Sequence, residues 1–174
     1  MCPNHKAFNM INKRHMYVML VIGFGMTTSM KSQKQKVMQT TISKEEQAVL
    51  GAIASMTKSF NNADIDGVMS SYQEGALVVF EPEMRVTDKK QLREMFLAAF
   101  AIKPQFEYPN GHEVFVNGKS ATHIAPWIMK GTAPNGTPIT QSGLSVAHLR
   151  KQPNGKWLLT FDNPHGSYLM SKKP

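Results

Sequence analysis

Apolar residues along this chain follow two periods, and the change from one to the other divides it. Val49, Ala52, Ile53, Met56 and Phe60 recur at spacings of three and four behind Ser43-x-x-Glu46, a capping box, so a first helix is predicted from Ser43 to Asn61-Asn62. Asp64 caps a short second helix with Ile65, Val68, Met69 and Tyr72 on one side, and Gly75 breaks it. Ala76 to Phe80 reads as a strand stopped by Pro82. A third helix opens at Thr87 or Asp88, carries Leu92, Met95, Phe96, Ala99 and Phe100 on one face, and ends at Lys103-Pro104.

Beyond Pro104 the period becomes two. Long strands are predicted at about 105–116, 120–132, 138–151 and 156–163. Asn117-Gly118, Asn135-Gly136 and Asn154-Gly155 separate them as hairpin turns, because Asn-Gly tolerates the positive φ that tight turns require. Asn110-Gly111 lies too near the next turn for a hairpin and reads as a bulge in one long strand. Helices first and an antiparallel meander afterwards make the fold class α+β, with residues 43–170 as one domain.

Composition adds a targeting segment. Lys13-Arg14 precedes the apolar run Met16–Met26, and Thr27-Thr28-Ser29 offers small residues for cleavage. Residues 1–29 therefore read as a signal peptide and 30–42 as a polar linker, with Met10 as an alternative start. The run is shorter than the roughly 20 residues a spanning helix needs, so no stable membrane anchor is expected. The expected location is periplasmic or secreted. The only cysteine, Cys2, precedes the run, leaving the mature chain without disulfides or thiolate chemistry. The chain has a formal charge of +8, but four of its 20 bases and none of its 12 acids fall in residues 1–33. The remaining bases are scattered, which argues against nucleic acid as a partner.

Several sets of residues resemble the nuclear transport factor 2-like superfamily, which includes SnoaL-like polyketide cyclases and ketosteroid isomerases. Phe60-Asn61-Asn62-Ala63-Asp64 is similar to its helix-1 exit, and Tyr72-Gln73-Glu74-Gly75-Ala76 to the start of its first strand. Gly136 and Gly143, with Arg150 and Gly155-Lys156-Trp157, resemble its paired late strands, and Asp162-Asn163-Pro164 resembles a SnoaL-like strand end. The likeness spans about residues 44–168. It implies a cone: a curved antiparallel sheet wrapped around three N-terminal helices, enclosing an apolar cavity for a small hydrophobic molecule. It also implies a homodimer formed through the outer sheet face.

The ketosteroid isomerase pattern needs a carboxylate before a proline on strand 1, a tyrosine on helix 1 and an acid on a late strand. Glu81 before Pro82 supplies the first. Strand alternation aims Phe80 inward and Glu81 outward unless a bulge intervenes. The other two positions fall near Met56 and Val146, which cannot stabilise an oxyanion. Steroid isomerisation is therefore disfavoured.

The candidate bases are Glu81, His123 and Asp162. Glu81 is a cavity-mouth base or a solvated strand end. His123 shares strand parity with Trp127, so the two face the cavity together unless Pro126 breaks the alternation. Asp162 either forms a dyad with His165 or closes an Asx turn. Ligand contacts are expected from Tyr72, Phe80, Phe96, Phe100, Trp127, Gln141 and His148. His112-Glu113 lacks the second histidine of a zinc motif, so no metal is expected, and no cofactor. Ligand binding without catalysis is the leading expectation. A cofactor-independent isomerase, cyclase or lyase and a dimeric association module are the alternatives.

Overall fold

The computed structural model describes residues 42–172. The expected signal segment, Cys2 and all of the expected linker except Ile42 lie outside the described residues. Helix α1 spans Lys44–Asn61, α2 Ile65–Ser70 and α3 Lys89–Ala99, the last running into a 3-10 turn at Phe100–Ile102. The strands are β1 Tyr72–Glu81, β2 Met84–Val86, β3 Gln105–Glu107, β4 Glu113–Asn117, β5 Ser120–Thr132, β6 Pro138–Lys151 and β7 Trp157–Asn163. A short α4, Tyr168–Ser171, follows. The α+β class and the segregation of helices from meander stand as expected.

Capping fixes the helix starts. Ser43 and Glu46 close the capping box reciprocally, Asp64 accepts from the Gly67 amide at 3.0 Å, and Asp88 from the Gln91 amide at 2.7 Å. The helix-1 exit also has a mechanical role. The Asn61 side chain grips Phe106 of β3 at both backbone groups, at 3.1 and 2.8 Å. Phe60 beside it meets Phe96, Phe100 and Phe106 edge-on, with centroids 5.1–5.6 Å apart.

The seven strands form one sheet in the order β2-β1-β7-β6-β5-β3, with β4 also on β5. Its pairs are antiparallel except β1 with β7, which the meander reading does not contain. Val49, Ile53, Val68, Leu92 and Phe96 of the helices pack against Ala147, Leu149, Trp157 and Leu159 of the sheet. Leu149 and Leu159 are each 2% exposed, and each such burial stabilises the domain by about 2 kcal/mol.

Asn110-Gly111 is not a bulge within a continuous strand. The chain leaves the ladder as the turn Tyr108–His112, with Gly111 at φ +80°, and returns as β4. β3 pairs with β5 at Ile128–Lys130 and β4 with β5 at Ser120–Ile124. The excursion thus leaves a gap opposite Ala125–Trp127. Pro126 falls in that gap, where its missing amide hydrogen deprives no partner, and the β5–β6 register runs unbroken through it.

Candidate functional site

A cavity of about 480 Å³ opens between α1, α3 and the inner sheet face. Its wall is mainly apolar: Met56, Phe60, Met95, Phe96, Phe106, Trp127 and Met129 contribute. Phe80, Phe96, Phe106 and Trp127 line it without filling it. Phe100, expected as a ligand contact, does not line it. It sits in the 3-10 turn after α3 and packs on Phe60, because the helical period that placed it inward ends one residue earlier.

Trp127 is held flat against the sheet. Its indole N–H donates to the Pro164 carbonyl at 2.9 Å, and it lies across Gly143, its register partner on β6. A Cβ on Gly143 would stand 2.7 Å from the indole and 2.9 Å from the Pro164 oxygen, so the position requires glycine.

Asp162 reaches the cavity through a register shift. Trp157 and Leu159 are buried on the inner face, so strict alternation would turn Phe161 inward and Asp162 outward. Between His148↔Phe161 and Leu149↔Leu159, however, β7 carries one extra residue, Thr160. This bulge resets the parity: Phe161 pairs with exposed His148, and Asp162 with buried Ala147. Asp162 then accepts a hydrogen bond from the Tyr72 hydroxyl at 2.6 Å. Burial raises its pKa, while the Tyr72 bond and the neighbouring His165 pull the other way. The Tyr72 hydroxyl is pushed well up by burial, then by the negative charge of Asp162.

No hydrogen bond among the described residues joins Asp162 to His165. His165 donates from Nε2 to the Phe80 carbonyl at 3.0 Å, and the Asx turn belongs to Asn163, whose Oδ1 accepts the His165 amide at 2.9 Å. The alternatives framed for Asp162, dyad or Asx turn, both give way to the tyrosine pair. His165 and Pro164 still line the cavity.

Glu81 is exposed yet lines the same cavity at its rim. A second register shift, between Val79 and Glu81, places the extra residue at Phe80, so both Phe80 and Glu81 contribute to the wall. Gln141 and the buried Ser145 add polar groups from β6. The late-strand position read at Val146 points away from the cavity. The inward residue is Ser145.

The histidines lie elsewhere. His123 shares the inner face with Trp127, as parity predicts, and is 0% exposed, but it is not part of the cavity lining. It sits beneath the excursion, its Nε2 2.8 Å from Nδ1 of exposed His112. Its own Nδ1 is buried without a partner among the described residues. An orphaned acceptor costs less than an orphaned N–H, which favours the tautomer in which His123 donates to His112. Burial and then His112 lower the His123 pKa to about 4. His148 lies on the outer face against Thr122 and Phe161, because its parity partners Leu144 and Val146 face outward. Neither histidine meets Glu81 or Asp162 in the cavity.

Besides Ser145, two more contributors escaped the sequence reading. Tyr108 enters the excursion as the residue before Pro109-Asn110-Gly111, and its hydroxyl pKa is raised by burial, lowered by adjoining Thr57 and raised by Asp162. Thr57 on α1 lines the cavity with a buried hydroxyl that adjoins the Tyr108 hydroxyl but makes no well-formed hydrogen bond among the described residues. An aromatic residue leading into a Pro-Asn-Gly turn was the available signal for Tyr108. Nothing marked Thr57. Among the described residues no group of three His, Cys, Asp or Glu side chains is placed to hold a metal ion, and no helix is long and apolar enough to cross a membrane.

No protein-family model and no curated protein matches this sequence. Solved structures do match. A nuclear transport factor 2-like superfamily protein from Salmonella enterica serovar Typhimurium superposes with a TM-score of 0.61 at 16% identity, over 67% of this chain and 87% of that one. The chain has the nuclear transport factor 2-like fold. A ketosteroid isomerase-like protein from Erwinia carotovora atroseptica gives 0.58 at 19% identity, over 69% and 94% of the two chains. A candidate dehydratase of the nuclear transport factor 2-like family from Streptomyces avermitilis gives 0.63 at 14%, over 71% and 96%. At these identities the likeness is one of fold.

Proposed function

We propose that this nuclear transport factor 2-like domain binds a small hydrophobic molecule that carries a hydrogen-bonding oxygen. The supporting observation is the buried Tyr72–Asp162 pair, set into an apolar wall around a cavity of about 480 Å³. Ligand pockets of roughly 300–1,000 Å³ combine an apolar lining with a few polar groups that fix orientation. Here the aromatics supply the contact area, and Asp162 supplies one directional anchor. Titration with 2-naphthol tests the reading: the Trp127 indole N–H resonance should shift saturably, and Asp162→Ala should weaken binding about tenfold, the loss of one good hydrogen bond to a charged or polar anchor. Absence of saturable binding sinks it.

A second reading, a cofactor-independent isomerase, cyclase or lyase, is favoured by the same acid. A carboxyl group whose pKa is raised by burial is better matched to proton transfer near neutrality. Asp162, as the carboxylate, would take a carbon-bound proton next to a carbonyl to leave an enolate, and would then return that proton or a solvent-derived one to carbon, with the Tyr72 hydroxyl holding the carboxyl in place at 2.6 Å. Deuterium exchange into a cyclic enone, lost in Asp162→Asn while binding persists, would support this reading. Exchange unchanged in that variant would end it.

Export to the periplasm or beyond belongs to the same proposal and rests on the apolar Met16–Met26 run. So does homodimerisation through the outer sheet face, where Ile124, Ile128, Leu144, Val146 and Phe161 are partly exposed. Sedimentation of the purified chain distinguishes monomer from dimer.

A further inference from the structure

A second compartment, a groove of about 640 Å³, runs along the neighbouring face of α1 and is lined by Ile53, Lys58, Asn61, Gln105, Tyr108 and His112 among others. The two compartments have only two lining residues in common, Thr57 of α1 and Tyr108 of the excursion. These two side chains are the partition. We propose that groove and cavity form one continuous site for an amphipathic carboxylic acid, with its apolar body inside and its carboxylate at Lys58. The proposal rests on the binding function above and extends it to a ligand class.

Three observations carry it. First, the partition is chemically unfinished. The Thr57 hydroxyl is buried and makes no well-formed hydrogen bond among the described residues, its polar neighbour being the Tyr108 hydroxyl across the partition, although buried polar groups are nearly always fully paired. An oxygen-bearing ligand passing the partition supplies a better partner. Second, Tyr108 stands outside any strand ladder. The Tyr108–His112 excursion is closed by a backbone hydrogen bond, from the Gly111 N–H to the Tyr108 carbonyl at 3.2 Å, and by the pairing of His112 with His123. A side chain on such a turn can swing aside at less cost than one on a paired strand.

Third, charge sets the orientation. Lys58 is the charged residue of the groove, and it makes no ion pair among the described residues, whereas Lys89, Lys130, Lys151 and Lys172 each do. The Asn61 amide is occupied by the Phe106 backbone, and the Gln105 amide nitrogen by the Asn61 and Pro104 carbonyls. His112 uses Nδ1 for His123, which leaves its Nε2 for the groove. The groove therefore offers a cation and a donor. The inner cavity presents Asp162, whose negative charge disfavours a carboxylate there. An anionic head is therefore favoured on the Lys58 side.

Full-length protein titrated with dodecanoate, dodecanol and 2-naphthol tests this. Dodecanoate is expected to displace 2-naphthol competitively and to bind about fivefold tighter than dodecanol, the ratio that one partly exposed ion pair supports. Lys58→Gln should equalise the two, and Lys58→Glu should reverse their order. Simultaneous binding of dodecanoate and 2-naphthol, or a preference for dodecanoate unaltered by Lys58→Gln, overturns the inference. If 2-naphthol binds and dodecanoate does not, the inference alone falls. If none of the three binds, the underlying binding function falls with it.

Discussion

Two hydrogen-bonded pairs, Tyr72–Asp162 and His112–His123, have bonds of 2.6 and 2.8 Å, and their buried groups respond to burial in opposite senses. Asp162 is raised and His123 is lowered, because burial favours the neutral form of each. The first pair faces an apolar cavity, with Tyr72 buried and Asp162 half-buried. The second is sealed beneath the excursion, with an exposed partner and one unpartnered nitrogen. The difference separates chemistry from construction. Asp162 is placed where a ligand can meet it. His123 is placed where it ties the turn that carries Tyr108 to β5.

The largest expected effect breaks the histidine side of this comparison. Unfolded His123 takes up a proton near pH 6.5, whereas the native residue resists until about pH 4. The unfolded state therefore holds more protons across that interval, and stability falls as the pH falls, by about 3 kcal/mol in all. Urea unfolding at pH 7.5 and pH 4 should show His123→Leu lacking this loss. An equal acid sensitivity in the variant would place the origin elsewhere.

On the other side, Tyr72→Phe removes the hydroxyl from a buried carboxyl and should cost about 1–3 kcal/mol. It should also raise the Asp162 pKa further, since the Tyr72 bond holds it down. Carboxyl-carbon NMR titration reads that shift directly, and a fall in pKa would contradict the assignment. The smallest effect is in Asp162→Asn. An acid with a raised native pKa contributes stability below its unfolded value, and that contribution is lost as the pH climbs through the raised value. The variant should therefore gain stability over the parent at pH 8 and little at pH 3.5. A gain at pH 3.5 equal to that at pH 8 would show that charge is not the cause.

Local chemistry made most of the fold legible. A capping box fixed the start of α1 and aspartate N-caps those of α2 and α3, and Asn-Gly turns bounded β5 and β6 at their observed ends. Seven of the ten residues read as candidate contacts line the cavity. His123, Phe100 and His148 do not, and local period also falls short at Asp162, which reaches the cavity only through a bulge. Phe100 follows the helical pattern one residue beyond the helix. His148 follows strand parity, but on the face that the helices do not cover. Asp162 gains its orientation from Thr160, a residue with nothing in its local sequence to announce a bulge. The parallel pairing of β1 with β7 brings together residues some 90 positions apart, as in the Tyr72–Asp162 bond, which no short window contains.

The turn at Asn110-Gly111 has a consequence for how such a protein can change. β3 and β4 are each anchored independently on β5, so residues between them can be added or removed without altering a single ladder pair. The entropy of closing a longer loop grows only slowly with its length. The chain thus carries a length-adjustable divider: one or two extra residues there would reshape the boundary between two chambers while the sheet stayed in register. New ligand preferences are reachable by insertion at this one turn.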